Sequence, residues 1–193
     1  MTREHDSRII VWPVVGAAEI NELLSPVIDA DGRDGVALVS VDDDFGEPFA
    51  GPLYRLILRA DSARSPVLPP RHDPDPPRPD TVEGLASVLK PAALDSDRLL
   101  GLLVAMCTSD MEFFHPAGTW SAADVGAALE QAIDLLGPRV SWWSNCNFAL
   151  AESWENGWPD AWPHDPLTRH TASMALMGVG AGIIVTFLSL NDG

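Results

Sequence analysis

An α+β architecture, an antiparallel sheet with three to five helices packed mainly on one face, is what this sequence predicts. Three observations carry that prediction. Residues 172–190 hold no charge, and Gly178, Gly180 and Gly182 divide them into two apolar halves. The second half is rich in strand formers, so the segment reads as a buried β-hairpin. Residues 35–41 and 52–60 read as two more strands that could pair across the loop between them. Residues 122–136 repeat apolar side chains at helical spacing.

Taken in order, residues 8–15 are apolar and β-branched and read as a strand, with Pro13 placing it at a sheet edge or marking an irregularity. Ile20, Leu23, Leu24, Val27 and Ile28 recur at helical spacing, with Pro26 expected to end or kink that helix near Ser25. In 52–60, Tyr54, Leu56 and Leu58 would share one face of a strand, and Arg55 and Arg59 the other with Leu53 and Ile57. Residues 65–79 carry prolines at 66, 69, 70, 74, 76, 77 and 79, which forbids helix and favours an exposed loop or linker. Asp80 and Glu83 form a capping-box-like pair that should start a helix, stopped by Pro91. Residues 99–106 lean helical on their Leu, Ala and Met content.

The clearest element is the helix over 122–136. Ser121 is its N-cap, Trp120 and Val125 form its staple, and Gly137-Pro138 ends it. Glu130 and Asp134 sit toward its C-terminus, where the helix dipole disfavours acid, so some other requirement could hold them there. Residues 140–143 read as a strand and 147–154 as a short helix. Residues 154–166 hold three tryptophans and three prolines and should form an ordered, irregular loop.

The 193 residues fit a single domain, 1–193, with a real core. The hydrophobic fraction of 46% is that of a folded protein. The net charge is −16, from 28 acidic against 12 basic residues, and Lys90 is the single lysine. Such a chain repels phosphate backbones and anionic lipid, which argues against nucleic acid and membrane partners. A C-terminal membrane anchor over 172–190 is the minority reading of that segment. The charged start of the chain has no apolar signal core, and two cysteines make no disulfide framework, so the cytoplasm is the expected compartment. No cofactor is expected: phosphate-loop, nucleophile-elbow and zincin motifs are all missing.

Four constellations could carry function. Asp42, Asp43 and Asp44 with Glu47 form an acidic turn, suited to Arg or Lys of another protein. Trp154, Trp158 and Trp162, with Trp142 and Trp143, would offer stiff contact area if they face water. Cys146 would be an activated nucleophile if a helix began near Asn147 and His115, His164 or His170 served as base. Asn145-Cys146-Asn147 resembles the nucleophile motif of the papain-like PPPDE peptidases over these few residues, too short a stretch to carry an activity. His164, Asp165 and His170, with Asp160, could ligate zinc or iron. The function expected first is an acidic module recognising a cationic protein partner, such as an immunity or antitoxin-like inhibitor. A small Cys-His hydrolase and a metal-binding module are the alternatives.

Overall fold

The computed structural model describes residues 16–28, 36–44, 48–63, 78–111, 113–170 and 172–191. The expected strand over 8–15 and nearly all of the proline-rich segment 65–79 lie outside them. Among the described residues, five helices and a five-stranded antiparallel sheet make the α+β fold. The strands are β1 (Leu38–Asp43), β2 (Lys90–Pro91), β3 (Ser141–Ser144), β6 (Ala172–Gly180) and β7 (Ile183–Asn191), in the order β1-β7-β6-β3-β2. A separate two-stranded ribbon joins β4 (Trp154–Glu155) to β5 (Trp158–Pro159).

The hairpin β6–β7 is the spine of the sheet, paired from Ala172↔Asn191 to Gly180↔Ile183. Its two-residue turn puts Ala181 and Gly182 at φ 50° and 78°, the double left-handed geometry that matches strand twist. Only Gly182 of the three clustered glycines is therefore a turn residue. Gly178 lies in β6 beneath the Trp142 ring, and Gly180 passes the Leu136 carbonyl too closely for a side chain. Among the described residues no helix is long and apolar enough to cross a membrane, and 172–190 is sheet.

Helices α1 (Ala17–Ile28), α4 (Ser96–Thr108) and α5 (Ala122–Leu136) cover one face of the sheet. Their Ile20, Leu24, Leu102, Leu103, Met106, Val125 and Leu129 close over Val39, Leu176, Val185 and Phe187. Helices α2 (Gly51–Ala63) and α3 (Val82–Val88) cover the other, on Leu38, Ala175, Met177, Ile184 and Leu188. The single buried layer of alternating strand residues feeds both cores, as a sheet sandwiched between helices requires. Three helices against two is a milder asymmetry than the sequence led us to expect.

Helix α5 matches expectation at both ends. Ser121 Oγ accepts from Asp124 N, and Gly137 caps the C-terminus at φ 82°. Residues 52–60 do not: they are helix, and β1 pairs with β7 instead. Leu53, Leu56, Ile57 and Ala60 are all buried, which is spacing by three and four, while Leu58 stays 52% exposed. Pro52 is accommodated because the first turn needs no donor there.

Helix α1 continues through Pro26 to Ile28. Pro26 cannot donate to the Glu22 carbonyl, but the Ser25 hydroxyl does, at 3.0 Å, so the helix need not break. The N-cap of α3 is Thr81, whose Oγ1 accepts from Gly84 N at 3.0 Å, not Asp80. The Asp80 carbonyl instead accepts from the Tyr54 hydroxyl, which ties α2 to the start of α3. The expected helix over 147–154 is reduced to one 3₁₀ turn, Phe148–Leu150, capped by Asn147.

Candidate functional site: an acidic groove between two helices

Helices α1 and α5 lie side by side on the sheet and leave their outer faces to solvent. Along their seam runs a cleft of about 880 Å³. Glu19, Glu22 and Leu23 line it from α1, and Gln131, Asp134, Leu135 and Leu136 from α5. Pro138, Arg139 and Ala181 close one end. A second cleft of about 550 Å³ shares Glu22, Leu23 and Gln131 with the first. It adds Pro26 from α1, Trp120 from just before α5, and Asp124 and Ala127 from the start of α5. The N-terminal half of α1 thus faces the C-terminal half of α5, and the reverse, so the helices run antiparallel and the two clefts adjoin at Glu22, Leu23 and Gln131, a pair of clefts taken together below as the groove.

The groove has an apolar floor and an acidic rim. Glu19, Glu22, Asp124 and Asp134 are all exposed, while Leu23 and Leu135 are half-buried. Among the described lining residues Arg139 is the sole cation. Four carboxylates against one guanidinium, over walls of low dielectric, focus a negative potential into the cleft. Sequence reasoning did not find this site, since it joins segments some hundred residues apart. Its one legible sign was Asp134, an acid in the last turn of α5 where the helix dipole disfavours it.

The acidic turn after β1 is less free than the sequence suggested. Asp42 and Asp43 still belong to β1. Asp42 Oδ1 accepts from Arg55 Nη2 at 2.7 Å, and Asp43 Oδ1 sits 3.4 Å from the amide of Ala17. Asp44 is exposed, its backbone N–H donating to the Gly182 carbonyl. Glu47 lies outside the described residues.

The tryptophans turn inward. Trp158 is 3% exposed, and Trp154 and Trp162 are half-buried. Trp158 and Trp162 cluster with Phe114 at centroid distances of 5.6, 5.9 and 6.4 Å, which leaves no space for a cation between the rings. Trp154 packs on Phe148 with the Arg98 guanidinium 5.8 Å above it. The aromatic surface that does face water is Phe113, 61% exposed, and Phe114, 39%. The Asp110 carboxylate holds that loop by accepting from the amides of Phe113 and His115, and Phe114 sits at φ 56°.

Cys146 and His164 are brought together, as partners in an isolated antiparallel bridge. The thiol is nevertheless buried, and Sγ donates to Asn145 Oδ1 at 3.6 Å. Burial pushes its pKa up to about 12, and does the same to Cys107. The His164 ring nitrogen Nδ1 lies 3.3 Å from the Trp162 carbonyl. A neutral, water-excluded thiol is the opposite of an activated nucleophile. Iodoacetamide at pH 8 should therefore leave Cys146 unmodified in the folded chain and modify it once urea unfolds the protein, as read by mass spectrometry. The thiols also fix a sign for alkaline stability. Each keeps its proton when folded to about 12 but loses it near 9 when unfolded. Above pH 9 the unfolded state then binds fewer protons, so stability falls as pH rises. Replacing both cysteines with alanine should flatten that part of the curve.

His164, Asp165 and His170 do not converge. Asp165 Oδ2 pairs with Lys90 Nζ at 2.8 Å, and the His170 amide donates to Thr168 Oγ1. Among the described residues no group of three or more His, Cys, Asp or Glu is placed to hold a metal ion. Asp160 serves its own loop. It accepts from the Ser153 amide, the Ser153 hydroxyl and the Glu152 amide, which lowers its pKa.

No family model matches the chain, and no curated protein or solved structure matches it.

Proposed function

We propose that this protein is a binding module for a cationic protein partner, with the α1–α5 groove as its seat, in the manner of an immunity or antitoxin-like inhibitor. The observation that carries the reading is the pairing of an apolar floor with an acidic rim in one cleft. Lys and Arg side chains have both halves of the complementary chemistry. Their methylene stems would lie on Leu23, Leu135 and Pro138, and their charges would meet Glu19, Glu22 and Asp134. The overall charge of −16 adds long-range steering toward such a partner. The hydrolase alternative draws no support from a thiol held neutral by burial.

The test compares two triple variants of equal net charge. Glu19→Gln/Glu22→Gln/Asp134→Asn removes three of the groove's four carboxylates. Glu83→Gln/Glu152→Gln/Glu155→Gln removes three exposed carboxylates elsewhere. Rim charges are worth about 0.5–1 kcal/mol each, so the groove variant should bind a partner retained by the wild type about 10- to 100-fold more weakly. Most of that loss should fall on the association rate and shrink at high salt. The control variant should bind within about threefold of wild type. Equal loss in both variants would mean that only bulk charge matters. Asp134→Asn alone should weaken binding while raising stability by about 0.3–1 kcal/mol, because it removes an acid from a helix C-terminus.

A further inference from the structure

Resting on that reading, we infer that the element received by the groove is an amphipathic basic α-helix, laid between α1 and α5 with its apolar stripe on Leu23, Leu135 and Ala127. The walls decide the secondary structure of the occupant. Away from the C-terminal end of α5, both banks are α-helices whose backbone groups bond within themselves, so they present side chains. An extended segment pressed there would leave its own N–H and C=O groups facing Leu23 and Leu135 without partners. A helix brings its backbone already satisfied, and two neighbouring helices offer the furrow into which a third packs its side-chain ridges.

The size and chemistry agree. From Asp124 to Gly137 the groove follows α5 for about 20 Å, which matches about 13 residues of a bound helix. Acid stands on both banks. Glu19 and Glu22 are three residues apart on one face of α1, and Asp124 and Asp134 stand toward the two ends of the α5 bank. An occupant with one apolar stripe flanked on both sides by Lys or Arg satisfies floor and rim together. Ala127 and Ala128 keep the α5 bank low enough for close approach.

Three synthetic peptides of about 14 residues separate this from the broader reading. The first carries Leu at helical spacing with Lys and Arg on both flanks. The second has the same composition in an order that breaks the stripe, and the third is the first with a central proline. Titrated into the intact chain at low salt, the first should bind at least 10-fold tighter than the other two and gain helical circular dichroism on binding. That advantage should vanish with Glu19→Gln/Glu22→Gln/Asp134→Asn. If all three bind alike and all lose affinity in the groove variant, the helix inference is overturned and the cationic groove stands. If no peptide responds to the groove variant, both readings fall.

Discussion

Asn145→Ala is expected to lower the unfolding free energy by about 3–5 kcal/mol, a large share of what a domain this size commands. Asn145 is fully buried at the end of β3 and fastens three segments at once. Its Nδ2 donates to the Asp165 and Ser173 carbonyls, each at 2.9 Å, and its Oδ1 accepts from Ala175 N at 2.8 Å. Truncation strips two carbonyls and one amide of these partners in the interior. Each buried group deprived of its partner costs about 1–3 kcal/mol. Ser144 works beside it: its Oγ donates to the Ala175 carbonyl and accepts from Cys146 N. Here lies the use of the Asn-Cys-Asn segment. It is a polar clasp that holds the 163–168 loop against β6. Urea unfolding of the variant measures the effect, and a loss below about 1 kcal/mol would show that the clasp is not structural.

Gly157→Ala should cost about 2–4 kcal/mol, whereas Gly101→Ala, across the same contact, should be neutral or stabilising. The β4–β5 ribbon turns on Asn156 and Gly157, with Gly157 at φ 84°. A methyl group there would strike the Gly101 carbonyl of α4 and reach 3.0 Å from Ala105 Cβ. Left-handed backbone and steric overlap with main chain therefore add at one position. At Gly101 the added Cβ would stand 3.8 Å from Gly157 Cα, an ordinary contact, inside a helix that gains from alanine. Opposite signs from two glycines facing each other would show that docking of the ribbon on α4 is set by geometry. Thermal unfolding of the two variants reads both signs.

The elements most legible in the sequence are those with one periodicity and punctuated ends. Helix α5 has a cap, a stripe and a terminating glycine, and the β6–β7 hairpin has strand formers around a turn. Residues 52–60 mislead because Tyr54, Leu56 and Leu58 alternate as in a strand while Leu53, Leu56 and Ile57 follow helical spacing, and so short a run supports either pattern. The burial of Ala60 and the exposure of Leu58 decide it, and neither is visible before folding. The candidate surface is legible only as a charge excess. Acid adjacent in sequence, Asp42 to Asp44, is partly consumed by Arg55 and the strand end. Acid that gathers in space, Glu19, Glu22, Asp124 and Asp134, is dispersed in sequence and leaves one local sign, the misplaced carboxylate of Asp134. The tryptophans do not form the exposed surface their number suggests, because their large apolar area is better satisfied over the α4 face than in water.

The groove reading is tested most directly by titrating an oligo-arginine peptide into isotopically labelled protein and following backbone amide shifts at about 50 mM salt. We expect the largest shifts at Glu22, Leu23, Gln131, Asp134 and Gly137, on the two facing banks of one cleft. Shifts concentrated at Asp42 to Asp44 and around Trp154 to Trp162, or spread evenly over the exposed carboxylates, would contradict it.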